Sequence, residues 1–250
     1  MMINNLKTKI LNKEEVIGIW SLIPSPSVVE IIMSTNLDFI ILDMEHGSFD
    51  HNYIENSIRS VEVNNKCALV RIPNLNPQLF QSALDLGAQG VIVPKIESKI
   101  EAELVVKYSN YYPKGTRGFN PFTRAHKFYS GNKHTSADPL NSILIENIEG
   151  LNNLEKICET EDLNVIYIGS YDLSLNLGYN GNTHNKDLLL TIEKAASRIV
   201  KLNKTCGLMI NSKEDMTFAR NIGAKFLTFM VDSYQIQKGI NESLEKIKNV

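Results

Sequence analysis

Ionisable side chains that could carry out chemistry follow several short apolar runs of this sequence. The cluster 43–47 (Asp-Met-Glu-His-Gly) follows one run, Arg71 lies near the end of another, and Glu146 and Asp172 follow two later, consecutive runs. In a parallel α/β barrel, active-site residues come from the carboxyl ends of the strands and meet at one mouth. The pattern therefore predicts that these residues share one site.

Glu146 and Asp172 are the two carboxylates that we expect to lie close together. Unpaired carboxylates held together repel, and one of them is then forced to take up a proton. A divalent cation removes this repulsion, and a site made of two carboxylates, water and a chelating substrate suits Mg²⁺ or Mn²⁺, with Co²⁺ and Zn²⁺ as the other candidates. The alternative is that each acid pairs with a lysine or an arginine; for the pair, the metal site is favoured.

His46 and Arg71 are the basic side chains of the predicted site. Asp43 and Glu45 are near enough to His46 to orient its imidazole and raise its basicity, as in a general base, although a histidine beside an apolar run can also be structural. A buried arginine such as Arg71 is costly without an anion, which could be a protein carboxylate, a substrate carboxylate or an enolate oxygen. Residues 169–174 (GSYDLS) look like a strand running into a short helical turn, whose N–H groups could hold a substrate carboxylate.

Eight β-then-α units are predicted to position these residues. Short, continuously apolar runs, typical of strands covered on both faces, alternate with stretches of helical period. The repeat predicts one (β/α)₈ (TIM) barrel domain over residues 1–250. The predicted strands are Val16–Ile23, Phe39–Met44, Ala68–Ile72, Gly90–Pro94, Ile143–Glu146, Val165–Gly169, Cys206–Ile210 and Phe226–Val231. The predicted helices are Ser27–Ser34, Tyr53–Asn64, Pro77–Leu86, Ile100–Asn110, Gly150–Glu159, Lys186–Leu202, Lys213–Ile222 and Tyr234–Ile247.

Two segments lie outside this repeat. Residues 111–141 are rich in Pro, Gly, Arg, His and aromatic residues, and a loop of this length in a compact domain is usually functional or disordered. We expect it to be an ordered flap over the site, with its aromatic side chains packed beneath it or at a subunit contact. The short basic run Lys7–Lys9 is expected to form a solvated face.

The composition excludes several classes of function. The chain has 250 residues, 43% of them hydrophobic, which suits a single barrel. A net charge of −2 gives no basic excess for binding nucleic acid. The absence of a signal-peptide-like or membrane-spanning apolar run predicts a cytoplasmic protein that does not associate with membranes. Cys67, Cys158 and Cys206 lack CxxC spacing and are expected to be buried thiols in a reducing compartment.

Eight sequence blocks, in the right order from about Gly18 to the C-terminus, resemble the HpcH/HpaI aldolase family of metal-dependent pyruvate aldolases. The resemblance implies a (β/α)₈ barrel of the phosphoenolpyruvate/pyruvate type that assembles as a homo-oligomer, a hexamer of paired trimers with exchanged C-terminal helices, here Tyr234–Ile247. The blocks are 18–20 (GIW), 38–47 (DFIILDMEHG), 69–73 (LVRIP), 84–90 (LDLGAQG), 112–118 (YPKGTRG), 145–150 (IENIEG), 168–174 (IGSYDLS) and 178–182 (GYNGN).

The resemblance also implies a class II aldolase that cleaves or forms a 4-hydroxy-2-oxo acid, such as a 2-keto-3-deoxy sugar acid, to or from pyruvate and an aldehyde. His46 would be the acid–base group with Asp43 as its partner, and Arg71 would steady the ketone or enolate oxygen. Glu146 and Asp172 would bind the metal. The backbone of Gly169, Ser170, Tyr171 and Asp172 would receive the pyruvate carboxylate.

Three departures from the family pattern lie at or near the predicted site. Leu144 stands where many members have glutamine, Tyr171 replaces alanine, and Lys95 replaces methionine. The segment around Lys95 is closer to the citrate-lyase-type relatives. Two enzymatic alternatives therefore stay open, a citrate-lyase-like lyase acting on an acyl-CoA or dicarboxylate and an oxaloacetate decarboxylase. A non-catalytic binding barrel is the third alternative.

Overall fold

The structure is a computed structural model of the chain, and it describes residues 4–129 and 138–248. Eight parallel strands close into a barrel in chain order, which confirms the predicted (β/α)₈ architecture. The strands are β1 Val16–Ser21, β2 Phe39–Asp43, β3 Cys67–Arg71, β4 Gly90–Val93, β5 Leu140–Ile145, β6 Val165–Ile168, β7 Thr205–Ile210 and β8 Phe226–Val231. The helices are α1 Asn5–Leu11, α2 Pro26–Met33, α3 His51–Val63, α4 Pro77–Asp85, α5 Lys99–Ser109, α6 Ile148–Asn152, α7 Leu154–Cys158, α8 Ser170–Asn176, α9 Lys186–Lys201, α10 Lys213–Asn221 and α11 Asp232–Lys248, with a 3₁₀ turn at Arg124–His126.

Two apolar layers bury the strands on both faces, which explains their continuously apolar sequences. The inner layer fills the barrel, where the rings of Phe39 and Phe226 stack with centroids 4.4 Å apart. Gly18 makes room for this pair, because a Cβ there would lie 2.4 Å from the Phe39 ring. The outer layer joins the strands to the helices. All three cysteines are buried free thiols, as expected.

Polar caps set the helix boundaries much as predicted. Asn76 caps α4 ahead of Pro77, and Ser212 forms a capping box with Asp215 at α10. The predicted helix Gly150–Glu159 is in fact two short helices, α6 and α7, which meet at Asn153. The side chain of Asn153 donates to the Glu97 carbonyl at 2.8 Å, so this residue ties the break to the loop after β4.

The amino-terminal segment closes the end of the barrel at which the strands begin. The sequence predicted only a solvated basic face, but residues 5–11 form α1, with Leu6 and Ile10 buried in the inner layer. Lys7 donates to the Pro139 carbonyl at 3.0 Å, and burial lowers the pKa of Lys7. The expectation of a solvated run was therefore wrong, because an amphipathic helix uses its lysine to hold a neighbouring loop.

The segment between α5 and β5 does not lie over the barrel mouth in its described part. It joins the end of a helix to the start of a strand, so it lies at the opposite end of the barrel. Arg124 there pairs with Glu62 at the end of α3 and donates to the Leu86 carbonyl at 2.9 Å. The expected flap over the site is thus wrong for residues 111–129 and 138–141, and residues 130–137 lie outside the described residues. Aromatic packing within the segment does occur, between Tyr111 and Phe119.

The junction of β8 with β1 closes the barrel and carries an irregularity. The register advances by two residues on β1, from Gly18 to Trp20, but by three on β8, from Thr228 to Val231. This one-residue bulge places Met230 at a φ of 50°. Within the described residues, no helix has both the length and the apolar character needed to cross a membrane.

Asp232 fastens this junction, and its loss should weaken the fold. Its buried carboxylate accepts hydrogen bonds from the Ser21 hydroxyl at 2.7 Å and from the backbone N–H groups of Leu22 and Ile23. We expect Asp232→Ala to lower the free energy of unfolding by about 2–4 kcal/mol, because buried donors lose their charged acceptor. Urea denaturation measures the change, with Glu193→Ala on the exposed face of α9 as the control. If Asp232→Ala had the same free energy of unfolding as the parent protein, Asp232 would not hold the junction.

Candidate active site

A cavity of about 360 Å³ opens at the mouth where the strands end. It brings together residues that the sequence placed at the ends of four strands, β2, β3, β5 and β6. Asp43 is the one predicted site residue that does not line the cavity; it lies fully buried behind Arg71. The predicted site residues that line the cavity are His46, Arg71, Glu146, Gly169, Ser170, Tyr171 and Asp172.

Arg71 is held by carboxylates on one side and by an aromatic ring on the other. Its Nε donates to Asp43 Oδ1 at 2.8 Å, its Nη2 pairs with Asp43 Oδ2, and its Nη1 lies 3.2 Å from Glu45 Oε2. The guanidinium carbon sits 4.5 Å from the centre of the Trp20 ring. Burial acts to lower the pKa of Arg71, but these carboxylates outweigh it and raise that pKa. A guanidinium has five N–H groups, so donors remain for a ligand.

Asp43 organises the turn after β2 rather than the imidazole of His46. Its Oδ1 accepts from the backbone N–H groups of Glu45 at 2.9 Å and of His46 at 3.2 Å. The carboxylate nearest to the ring is that of Glu45, 3.9 Å from His46 Nε2. The predicted contact between Asp43 and His46 is therefore made by the backbone N–H of His46 and not by its imidazole. The His46 side chain is 59% exposed at the cavity.

Glu45 and Lys95 form a second ion pair at the mouth. Lys95 Nζ lies 2.9 Å from Glu45 Oε1, and this hydrogen bond raises the pKa of Lys95. The backbone of Lys95 adopts a φ of 56°, which turns its N–H toward Glu146 Oε1 at 3.0 Å. A paired, charged ammonium is a poor nucleophile, so this geometry does not favour a Schiff base at Lys95.

Glu146 is a buried carboxylate among other carboxylates. It is 6% exposed, and burial, reinforced by the charges of Asp172 and Glu45, raises its pKa from 4.5 to about 7. Gly169 permits this packing, because a Cβ there would lie 2.9 Å from the Glu146 Cβ. Gly169 is also the N-cap of α8. The first intrahelical hydrogen bond is donated by the Leu173 N–H to the Gly169 carbonyl, so the N–H groups before Leu173 in the first turn make no bond within the helix.

The charges at the mouth fit a divalent cation. Four acidic side chains, those of Asp43, Glu45, Glu146 and Asp172, face two basic ones, Arg71 and Lys95, so the acids outnumber the cations by two when all are ionised. In the part of the chain that the structure describes, no three His, Cys, Asp or Glu side chains are grouped as a metal site. These side chains therefore fit a divalent ion with two protein ligands, Glu146 and Asp172, and with water and substrate as its further ligands.

Trp20 is a site residue to which the sequence argument gave no role. Its Nε1 donates to the Thr228 hydroxyl at 3.0 Å, and its ring meets that of Tyr167 edge-on at 5.6 Å. These contacts lie in the buried interior and fix the ring that stacks on Arg71. The available signal was that this residue is the single tryptophan of the chain and lies in the first predicted strand, near its carboxyl end.

Two of the three departures from the family pattern line the cavity. Leu144 is 3% exposed and lies two residues before Glu146 on β5, so it presents an apolar surface beside the carboxylate. Tyr171 is 49% exposed at the start of α8. The third, Lys95, does not line the cavity. Its ammonium contacts Glu45 and its backbone N–H donates to Glu146.

A closed (β/α)₈ barrel with acidic, basic and imidazole side chains around one mouth is the architecture of a barrel enzyme with a carboxylate-rich site. The model of the HpcH/HpaI aldolase/citrate lyase family matches residues 16–236, and the chain belongs to this family. Its relatives are named aldolases, which places it among the lyases.

Similarity to individual proteins extends over nearly the whole chain. A hydroxypyruvate/pyruvate aldolase of Roseobacter denitrificans is 29% identical over 92% of this chain and 91% of its own. A 5-keto-4-deoxy-D-glucarate aldolase of Salmonella paratyphi C is 28% identical over 90% and 89%. The crystal structure of citrate synthase SbnG superposes with a TM-score of 0.86 at 27% identity, over 98% of this chain and 97% of that one.

The raised pKa of Glu146 predicts an unusual stability effect in metal-free protein. Below pH 4.5 Glu146 is protonated in both folded and unfolded chains, whereas above pH 7 the folded chain alone bears the cost of its buried charge. Glu146→Gln keeps an acceptor for the Lys95 N–H and removes that charge. At pH 8 in EDTA we expect the variant to be more stable by about 2–3 kcal/mol, with little difference at pH 4.5.

Thermal or urea denaturation across this pH range measures the effect, and Glu193→Gln on the exposed surface is the matched control. A variant that is less stable than the parent at every pH would show that the charge of Glu146 is already balanced in the folded protein.

Proposed function

We propose that this protein is a class II aldolase that interconverts a 4-hydroxy-2-oxo acid with pyruvate and an aldehyde, with a divalent cation, Mg²⁺ or Mn²⁺ first and Co²⁺ or Zn²⁺ as alternatives. The observation that carries the proposal is that one cavity holds His46, Arg71, Glu146 and Asp172 together with the first turn of α8. Membership of the aldolase family supports it.

The 2-oxo acid would bind with its carboxylate at the N–H groups of Gly169, Ser170, Tyr171 and Asp172. Glu146 and Asp172 would hold the cation, which when bound supplies electrophilic stabilisation of the enolate. Arg71 would donate its remaining N–H groups to the ketone oxygen as negative charge develops there. Because Asp43, Glu45 and Trp20 already fix the guanidinium, little reorganisation is needed.

His46 would move the proton of the reaction. In the cleavage direction the C4 hydroxyl loses its proton to the imidazole, the C3–C4 bond breaks, and its electron pair forms the pyruvate enolate while C4 becomes the aldehyde carbonyl. The enolate then takes a proton at C3 to give pyruvate. Glu45, 3.9 Å from the ring, is placed to stabilise the imidazolium.

A lyase acting on an acyl-CoA or dicarboxylate is the second candidate function. The similarity to citrate synthase SbnG and the family's citrate-lyase members favour it, since both reactions need a stabilised enolate. Oxaloacetate decarboxylation shares this chemistry and would distinguish either enzyme from a non-catalytic barrel.

We also propose that the protein is a homo-oligomer, a trimer or hexamer, in which α11 contacts another subunit. Helix α11 packs on β1 and β8, yet one of its faces exposes the apolar residues Ile236, Ile240, Leu244 and Ile247. Such a stripe at spacings of three and four residues is normally buried.

The oligomer should dissociate when this stripe is made polar. We expect Ile240→Asp with Leu244→Asp to reduce the mass in light scattering to that of a single chain. Ile31→Asp, at an exposed isoleucine of α2, is the matched control. An unchanged mass in the double variant would exclude α11 as the contact.

The aldolase proposal is tested by pyruvate release from a panel of 4-hydroxy-2-oxo acids, including 2-keto-3-deoxy sugar acids, with Mg²⁺, Mn²⁺ or Co²⁺ and with EDTA. We expect metal-dependent release that falls at least about a hundredfold in His46→Ala and in Glu146→Gln. Glu193→Gln is the control. Full activity in EDTA would contradict the proposed dependence on a metal. If metal-bound, folded protein released no pyruvate from any substrate, the second candidate function would be favoured.

A further inference from the structure

We infer that the aldehyde partner of this site is a small apolar aldehyde, one without a carboxylate or several hydroxyls; the inference rests on the proposed aldolase function. It departs from the sugar-acid substrates that the sequence resemblance implies. What carries it is the division of the mouth into two arcs, one charged and one apolar, within a single cavity of about 360 Å³.

The charged arc consists of the ends of β2 to β6, which carry every acid and base that the proposed reaction uses. The apolar arc consists of the ends of β7, β8 and β1 with the start of α11, which are contiguous because the barrel is closed. The 2-oxo acid occupies the charged arc, so the apolar arc remains for the other substrate. The apolar arc lines the cavity with Met209, Met230, Val231, Trp20, Leu22 and Tyr234.

The bulge between β8 and β1 builds part of this surface. Side chains normally alternate between the two faces of a strand. At the bulge, both Met230 and Val231 line the cavity although they are consecutive. The next residue, Asp232, is the acid nearest in sequence, but its carboxylate is 1% exposed and bonded to Ser21, Leu22 and Ile23. Its charge is therefore not presented to a ligand.

The described lining also lacks a cation for a second carboxylate. Of the residues that line the cavity, only Arg71 and His46 can carry positive charge. In the proposed reaction Arg71 serves the ketone oxygen and His46 the C4 hydroxyl, so neither is left to pair with a second carboxylate. Lys95 points to Glu45 instead. The hydroxyl of Tyr167 is shared with Thr228 in the interior. The described apolar arc carries one phenol, that of Tyr234, so a carboxylate or a polyol placed there would lose more hydrogen bonds to water than it could regain.

The experiment uses the full chain with Mg²⁺ or Mn²⁺ in two steps. First, loss of the pyruvate methyl protons to D₂O, followed by NMR, reports enolate formation without any aldehyde. Second, kcat/KM is measured with pyruvate and three four-carbon aldehydes, namely butanal, succinic semialdehyde and erythrose. We expect butanal to exceed each of the others by at least about tenfold.

Met209→Gln and Met230→Gln are expected to reduce that preference by about tenfold, because each replaces a cavity-lining thioether by a similar-sized polar group. Two positions are used because Met230 lies at the bulge, where a substitution could disturb the strand. Met216→Gln, on α10 outside the cavity, is the matched control and should leave the preference unchanged.

Methyl-proton exchange combined with equal or reversed preference among the aldehydes would overturn this inference and leave the proposed function standing. Absence of exchange in metal-loaded, folded protein would overturn the proposed function, and the inference with it.

Discussion

The excess of carboxylates at one end of the barrel is the constraint on which the rest of this site depends. Parallel strands that close into a ring bring Asp43, Glu45, Glu146 and Asp172 to one mouth, and burial there makes each negative charge costly. The protein balances part of this charge with Arg71 and Lys95, and part with backbone N–H groups at the turns after β2 and β4. When all four acids are ionised, two negative charges remain unbalanced, which equals the charge of a divalent cation.

The same constraint explains why the surrounding residues are so closely specified. The Trp20 ring stacks on the Arg71 guanidinium and helps to hold it in the orientation in which it pairs with Asp43. Glu146 can lie beside the start of α8 only because Gly169 has no side chain. Lys95 contributes its N–H to Glu146 through a left-handed backbone and its ammonium to Glu45. A substitution at any of these positions would alter the charge balance of the whole mouth.

The ring of strand ends also separates two tasks. In the proposed reaction the charged half binds and polarises the 2-oxo acid, and its donors and acceptors are already oriented by one another. The remaining half, built by β7, β8 and β1, is apolar and is secured by the buried carboxylate of Asp232. This separation is a property of the closed barrel, in which three strand ends that carry no catalytic group in sequence become one continuous surface.

The sequence by itself determined the barrel and its eight strands, because strand burial and helix period are local signals. It also indicated Glu146, Asp172, Arg71 and His46. The tertiary structure decided what depends on distant contacts. Topology places the described part of the segment after α5 at the opposite end of the barrel, although its sequence is rich in aromatic residues. Arg71 competes successfully for the Asp43 side chain and leaves the imidazole of His46 nearer to Glu45. Pairing of β1 with β8 makes Trp20 part of the site, since these strands lie about two hundred residues apart in the sequence and only closure brings them together.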